Sequence, residues 1–191
     1  MKALFRIFCF SLATLVVVAS PSFAQKKVKT ETVRDPKAAP VEIIRDLSRL
    51  PEPVRKKREE ILAAARSGDI AKVSALIKEN GTTISFTGES DAAEFWKKTF
   101  PDSEGLEALA TLVEILEMPF VQIDKGTPQE MFVWPYFHAL QLDKLTPEQR
   151  VELFRLVTAY DFREMQKFGS YNFFRAGIAP DGSWRFFVAG D

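Results

Sequence analysis

The 191-residue sequence predicts an α+β fold: a mostly helical single domain with a small antiparallel sheet. Between residues 41 and 168, apolar residues recur at the three- and four-residue spacing of helices, and capping residues or glycines bound most of these segments. Residues 171–178 and 183–189 instead form two apolar runs on either side of the turn Ala179-Pro180-Asp181-Gly182. Proline second and glycine fourth in such a turn are typical of a type I turn in a β-hairpin.

Three helices are predicted at the start of the domain. Residues 41–50 carry apolar side chains at helical spacing and end before Pro51. Residues 54–67 form the next helix, and Gly68 suits the positive φ that ends it. Asp69 can cap a third helix, so the second and third are expected to pack as a helical hairpin.

The middle of the chain mixes both kinds of element. Residues 83–87 alternate apolar and hydroxyl side chains, which predicts a short strand. Residues 91–99, and the segment that Ser103 opens and Pro119 closes, predict two further helices. A second strand is expected over residues 120–124.

The segment before the C-terminal hairpin holds two predicted helices. Residues 127–137 show no regular pattern because Pro135 interrupts their apolar run. Thr146-Pro147-Glu148-Gln149 is a capping-box sequence that opens a helix, and Asp161 with Glu164 predicts a second box. The side chains of the first of these helices that are expected to face the core are Val151, Phe154 and Val157.

Aromatic residues crowd the C-terminal third. Strict alternation on the last strand places Trp184, Phe186 and Val188 on one face and Phe187 on the other. Either both faces are covered or one forms a ligand surface, and the size of aromatic side chains favours the core. The candidate binding residues are Trp134, Tyr136, Phe137, His138 and Trp184.

The first 24 residues predict a cleavable export signal. Lys2 and Arg6 precede an apolar run over residues 7–19, and Ser22 and Ala24 take the small-residue positions of a cut after Ala24. A membrane-spanning helix needs about 20 apolar residues, which is longer than this run. The mature protein is therefore expected in the periplasm.

Cleavage limits the chemistry of the mature chain. It removes Cys9, the only cysteine, and with it any disulfide, thiolate metal site or cysteine nucleophile. It also takes two of the 26 basic residues and none of the 26 acidic ones, which leaves a net charge of −2. A near-neutral chain gives no support for nucleic-acid binding, and no later apolar stretch predicts a transmembrane segment.

The mature chain is expected to begin with a disordered polar spacer over residues 25–40, followed by a single domain over residues 41–191. Lys26, Lys27 and Lys29 make the spacer locally basic. A solvated leader is the favoured interpretation, and weak contact with anionic lipid headgroups is the alternative.

Catalytic motifs are missing from the sequence. His138 is the only histidine and has no identified partner, so a residue at the core boundary is favoured over a general base. No zinc-protease, serine-hydrolase or nucleotide-binding motif occurs, and no metal or cofactor is predicted. A glycan hydrolase needs two carboxylates about 5 to 9 Å apart. The candidate carboxylates near aromatic residues are Glu114, Glu117, Asp124 and Glu130.

The C-terminal third carries several distinctive motifs: Trp134-Pro135-Tyr136-Phe137, Leu145-Thr146-Pro147, Phe168-Gly169-Ser170-Tyr171 and the ending Trp184-Arg185-Phe186-Phe187-Val188-Ala189-Gly190-Asp191. With these motifs the sequence resembles a group of exported proteins from alphaproteobacteria of the rhizobial kind. The similarity covers residues 55–191 and is densest after Gly126. No activity is assigned to that group, so the resemblance implies location and adds no catalytic residue. More weakly, the Gly182-Ser183-Trp184 hairpin behind small helices is similar to NTF2-like domains.

These observations favour a non-catalytic periplasmic protein that binds an envelope component or a protein partner through aromatic surface. The alternative is a small cell-wall hydrolase that uses paired carboxylates. A pocket that holds two carboxylates would favour the hydrolase, and an apolar patch would favour binding.

Overall fold

The computed structural model describes residues 41–190 and confirms the α+β class. Its helices are α1 (Glu52–Arg66), α2 (Ile70–Asn80), α3 (Ala92–Thr99), α4 (Leu106–Glu117), α5 (Pro147–Leu153) and α6 (Ala159–Phe168). Its strands are β1 (Val121–Ile123), β2 (Met131–Trp134), β3 (Arg175–Ile178) and β4 (Trp184–Val188). The predicted signal with Cys9, the spacer with Lys26, Lys27 and Lys29, and Asp191 lie outside the described residues.

Local caps start the helices where the sequence predicts them. The Asp69 carboxylate accepts the Ala71 N–H at 3.0 Å, and Asp91 accepts the Glu94 N–H at the same distance. Thr146 and Gln149 form the predicted capping box of α5. Each of these bonds satisfies a backbone N–H that the first helical turn would otherwise leave without a partner.

The four strands form an antiparallel meander in the order β1-β2-β3-β4, with helices on both faces. On one face, the first core packs the sheet against α1 to α4 through residues such as Phe132 and Trp134. On the other, the second core packs it against α5 and α6 through Val133. The strands hold three to five residues, less than the long curved sheet of an NTF2-like domain.

The C-terminal hairpin forms as predicted, but the assignment of faces on β4 was wrong. The Gly182 N–H donates to the Ala179 carbonyl at 2.9 Å and closes the turn. The pairing then steps from Ile178–Trp184 to Gly177–Phe186, so Arg185 is an extra residue on β4. This β-bulge breaks the alternation and puts Trp184 and Phe187 together in the first core, while Phe186 packs against the second.

The hairpin is fastened to the N-terminal helices. The Thr82 hydroxyl donates to the Trp184 carbonyl at 2.8 Å, and the Trp184 N–H donates to the Asn80 side-chain oxygen at 3.3 Å. Gly182 lies so close to Pro53 that a Cβ there would come within 2.9 Å of the Pro53 carbonyl oxygen. The last strand is thus a built-in part of the first core.

The helix predicted over residues 41–50 is wrong. Ile44 instead pairs with Phe120 through two backbone bonds of 2.8 and 3.0 Å, which extends the outer edge of the sheet beside β1. Only the short 3₁₀ turn Leu47–Arg49 follows, capped by the Asp46 side chain. Pairing with the sheet edge overrides the helical spacing of the apolar residues.

Two expectations around α5 and α6 also need correction. Val151 and Phe154 are exposed. The helix α5 ends at Leu153, and Leu153 is the residue that packs in the second core instead. The box that opens α6 uses Thr158 as the cap and Asp161 as its third residue, so it begins three positions before the predicted one. No helix among residues 41–190 is long and apolar enough to cross a membrane.

Candidate binding cleft

The five candidate binding residues from the sequence do not line the open cleft described below. Trp134, Tyr136, Phe137 and Trp184 are each 0% exposed. The two tryptophans pack in the first core, and Tyr136 and Phe137 pack in the second. His138 is half-buried on the 3₁₀ turn after Pro135. Their role in binding stays a prediction, and the rings themselves serve the packing.

Tyr136 takes part in a polar clamp. Its hydroxyl donates to Glu152 Oε2 at 2.6 Å, and the Arg45 guanidinium binds both oxygens of the same carboxylate at 2.6 and 3.1 Å. Arg45 lowers the pKa of Glu152, while burial and the neighbouring carboxylate raise the pKa of Tyr136. The clamp fastens the N-terminal segment to α5, and its carboxylate oxygens are already occupied.

The carboxylates proposed for a cell-wall hydrolase are largely engaged in other contacts. Glu114 pairs with Arg155 at 3.5 Å, and Glu117 forms an ion pair with Arg66. Glu130 accepts the Gly126 N–H at 2.8 Å, which lowers its pKa, whereas a glycosidase's general acid needs a raised one. Within residues 41–190 there is also no group of three or more metal-binding side chains.

An open cleft of about 340 Å³ lies beside the outer edge of β4. We call it the aromatic cleft because four phenylalanine rings line it, with three hydroxyl side chains and two residues that follow β4. The lining residues are Phe86, Phe95, Phe100, Phe174, Ser85, Thr87, Thr99, Ile84, Ala189 and Gly190. None of the five predicted binding residues is among them.

The cleft forms where a passing segment leaves β4. Thr83 pairs with the strand: its N–H donates to the Arg185 carbonyl at 3.0 Å, and its carbonyl accepts the Phe187 N–H at 2.9 Å. The strand predicted over residues 83–87 stops at this single bridge. Ser85 is the cause, since its hydroxyl accepts the Thr87 N–H at 3.0 Å and folds the backbone into a local turn.

The turn separates two apolar side chains that the predicted strand would have placed together. Ile84 is buried in the first core, while the Phe86 ring is 59% exposed. The Arg175 guanidinium lies 5.9 Å from the centre of that ring, within cation–π range. Phe86 therefore lies at the opening of the cleft, and the Arg175 guanidinium packs over one face of its ring.

The inner wall is continuous with the first core. Phe174 packs against Phe100 at 6.3 Å between ring centres and against Phe187 at 5.0 Å. Phe100 closes α3, and its N–H donates to the Trp96 carbonyl at 2.8 Å. Since these rings are held by core contacts, the wall is formed before any ligand arrives.

A negative charge lies next to Thr87, one of the residues that line the cleft. Glu89 Oε2 accepts the Thr87 hydroxyl at 2.5 Å. Hydrogen bonds from the Ser85 and Thr87 hydroxyls lower the pKa of Glu89, so its carboxylate stays ionised at neutral pH. The two hydroxyls bond to each other at 2.7 Å, and the carboxylate beside Thr87 is a weak base because its pKa is lowered.

The residues that line the cleft are of the kinds found in ligand-binding sites. Its volume is at the small end of the range for ligand sites, which are mostly apolar with a few placed polar groups. No family model, curated protein or solved structure matches this chain. The weak sequence signal for the cleft is Phe86 set among polar residues, because an aromatic ring in a polar turn has no core to enter.

Proposed function

We propose that this protein is an exported, non-catalytic binding protein of the bacterial periplasm, which holds an apolar group of an envelope component or partner protein in the aromatic cleft. The observation that supports it is the set of four phenylalanine rings around one open cavity. The proposal keeps the function predicted from the sequence and assigns it to Phe86, Phe95, Phe100 and Phe174.

The energetics of the cleft favour an apolar guest. Fully burying an aromatic side chain such as Phe86 stabilises a complex by roughly 1.5 to 3 kcal/mol. The inner wall adds little ordering cost, because Phe100 and Phe174 are already held by neighbouring rings. A preformed wall and one exposed ring together suit an apolar ligand that binds between the wall and Phe86.

The binding half of the proposal is tested with a neutral hydrophobic dye, N-phenyl-1-naphthylamine. The dye is expected to fluoresce on the mature protein and to bind at least about tenfold more weakly to Phe86→Ala. Phe168→Ala is the matched control, since Phe168 is 57% exposed and does not line the cleft. If both variants lost dye affinity equally, or if neither lost it, the cleft would not be supported as the binding site.

The export half is tested separately. N-terminal sequencing of protein from the periplasm should begin at Gln25, as the Ser22-Phe23-Ala24 cut predicts. A mature chain that still carries Met1, or one that bears lipid on Cys9, would contradict this part and leave the dye experiment unaffected.

A further inference from the structure

Three hydroxyl side chains line the aromatic cleft, and each of them already donates its proton within the protein. A hydroxyl has one proton to donate and two lone pairs with which to accept. Thr99 donates to the Phe95 carbonyl at 2.8 Å, and Thr87 donates to the Glu89 carboxylate at 2.5 Å. The Ser85 hydroxyl lies 2.7 Å from the Thr87 oxygen, so its proton goes to that oxygen or to the carboxylate beside it. The three side chains therefore meet a ligand as hydrogen-bond acceptors.

The rest of the lining offers no side-chain hydrogen bond. The other seven lining residues are Ile84, Phe86, Phe95, Phe100, Phe174, Ala189 and Gly190. A ligand group that only accepts, such as a carboxylate or an ether oxygen, would find no side-chain donor here. Burying a polar group without a partner is costly, whereas an N–H or O–H group of a ligand would be satisfied. The lining therefore favours a ligand that donates a hydrogen bond.

Thr99 is the acceptor best placed for such a donor. It is an exposed residue at the end of α3. The Ser85 oxygen already accepts the Thr87 N–H at 3.0 Å, and the Thr87 oxygen lies within bonding distance of the Ser85 hydroxyl. Among residues 41–190, no group donates to Thr99 Oγ1, so both of its lone pairs remain available.

The charges around the cleft favour a neutral ligand. The Arg175 guanidinium lies over Phe86, and because Arg175 does not line the cleft, the ring face that it covers is turned away from the cavity. Glu89 binds Thr87 and does not line the cleft either. The two neighbouring charges have opposite signs, and none of the lining side chains is charged. An ion in the cleft would lose its hydration and gain no charged partner from the lining.

The phenylalanine rings favour an aromatic ligand over a saturated one. Phe86 is 59% exposed at one side of the cavity, and Phe100 and Phe174 pack together in the wall at 6.3 Å between ring centres. Aromatic rings attract one another in edge-to-face and offset-stacked arrangements by more than their buried area provides. A saturated group of the same size gains the burial alone.

The size of the apolar surface favours a small molecule over a docked protein. Only Phe86 among the exposed large apolar residues of the described chain lines the cleft. The other six are Leu47, Leu106, Val151, Phe154, Tyr160 and Phe168. A protein interface buries about 800 Å² on each partner around an apolar centre. A cavity of about 340 Å³ with one exposed ring is instead of the size that a small ligand fills.

We infer that the ligand of the aromatic cleft is a small, uncharged molecule whose aromatic ring carries an N–H or O–H group, as in phenols and indoles. The ring lies between Phe86 and the wall that Phe100 and Phe174 form, and its N–H or O–H group donates to Thr99 Oγ1. This inference rests on the proposed function, because both use the same cavity.

The ligand class is tested by isothermal titration calorimetry of the full mature protein with three bicyclic probes. 2-Naphthol has the ring and the O–H group, 2-methoxynaphthalene lacks the donor, and decahydro-2-naphthol lacks the aromatic ring. 2-Naphthol should bind at least about threefold more tightly than either of the others. If the methyl ether bound as tightly, the requirement for a donor would be wrong. If the saturated alcohol bound as tightly, the requirement for an aromatic ring would be wrong.

Two charged probes test the neutrality of the ligand. 2-Naphthoate and 2-naphthylmethylammonium should each bind at least about fivefold more weakly than 2-naphthol, because no charged side chain lines the cleft. If either ion bound as tightly as 2-naphthol, Arg175 or Glu89 would have to reach the ligand, and the inference of a neutral ligand would be overturned.

Thr99→Val tests the acceptor. Valine keeps the shape of the side chain and removes the oxygen, so the preference for 2-naphthol over its methyl ether should disappear. Thr127→Val is the matched control, since the Thr127 hydroxyl also donates to a backbone carbonyl, that of Asp124 at 2.8 Å, and does not line the cleft. A preference that persists in Thr99→Val, or that disappears in both variants, would contradict donation to Thr99.

The outcomes separate this inference from the proposed function. If Phe86→Ala weakens dye binding but the probes show no preference for 2-naphthol, the cleft remains a binding site for a different apolar ligand and the inference is wrong. If the dye experiment itself fails, the proposed function is wrong, and the inference with it.

Discussion

Two groups of aromatic residues in this domain differ in burial. Trp134, Tyr136 and Trp184 are fully buried around the sheet. The Tyr136 hydroxyl donates to Glu152, and the Trp184 ring N–H donates to the Phe186 carbonyl. Phe86 and Phe100 flank an open cavity, where the Arg175 guanidinium lies over the Phe86 ring and Phe174 packs against Phe100. Aromatic crowding is shared by the core and the cleft, so crowding alone does not locate a binding surface.

The difference arises from the backbone near β4. Where the chain continues its ladder, as between Ile178 and Trp184, neighbouring rings are enclosed by the fold. Where Ser85 breaks the pairing after Thr83, a gap opens and Phe86 remains exposed beside three half-buried rings. A binding surface arises here from an interrupted strand, and substitutions in the two groups should affect different measurements.

The largest effect is expected for Trp184→Ala. Removing this fully buried side chain should cost about 3 to 5 kcal/mol of unfolding free energy, measured by urea denaturation. Phe168→Ala, at an exposed position, should change it by less than about 0.5 kcal/mol. Unchanged stability with weaker dye binding would move Trp184 from the core group to the cleft group.

Gly177→Ala should be the next most damaging change. A Cβ at this position would overlap the Phe186 ring and the Met131 sulfur, so about 1 to 3 kcal/mol of stability should be lost. Combining it with Phe186→Leu should recover part of the loss, because the smaller side chain leaves room for the methyl group. Strict additivity in that double-mutant cycle would show that the ring does not crowd Gly177.

Glu152→Gln tests whether Tyr136 has a structural role. Losing the charge that Arg45 binds should cost about 1 kcal/mol near neutral pH, a small value because the Arg45 side chain is largely exposed. The folded state lowers the pKa of Glu152, so the wild type holds this stabilisation above pH 4.5 and loses it as the pH falls further. Wild type and variant should therefore converge in acid.

Glu164→Gln serves as the control for that experiment. Glu164 forms an exposed pair with Lys167, three residues away on α6, and the substitution should leave the unfolding midpoint unchanged at every pH. If the difference in unfolding free energy between wild type and Glu152→Gln became larger in acid, that result would contradict the stabilising role of the clamp.

The smallest effect on stability is expected at Phe86. Since 59% of this residue is exposed, Phe86→Ala should change the unfolding free energy by less than about 0.5 kcal/mol. The same substitution should lower the affinity for the dye. A loss above about 2 kcal/mol would place Phe86 among the core residues and remove the contrast between the groups.

Local signals in the sequence predict the helices well and the site poorly. Asp69, Asp91 and Thr146 cap helices through neighbours within three residues, so each start is visible in the sequence. The turn at Gly182 is equally local. The bulge at Arg185 is different, because it depends on a partner strand and is invisible to an alternating pattern.

The cleft was missed for a related physical reason. The spacing of Ile84 and Phe86 suits a strand, but the Ser85 hydroxyl competes for the backbone that such a strand would use. Val151 shows the same limit, since its helical spacing is correct while α5 leaves it in water. Which of several apolar residues stays exposed is decided by contacts between distant segments.

The bonds between the end of α2 and the last strand have a consequence for how this chain folds. Asn80 and Trp184 are 104 positions apart, and Thr82 and Trp184 are 102 apart. Contacts of such sequence separation close large loops and slow folding, whereas α1 and α2 can form early from local contacts. The first core is therefore completed last, when the C-terminal hairpin docks, and shortened chains should persist as collapsed helical intermediates that proteases cut readily.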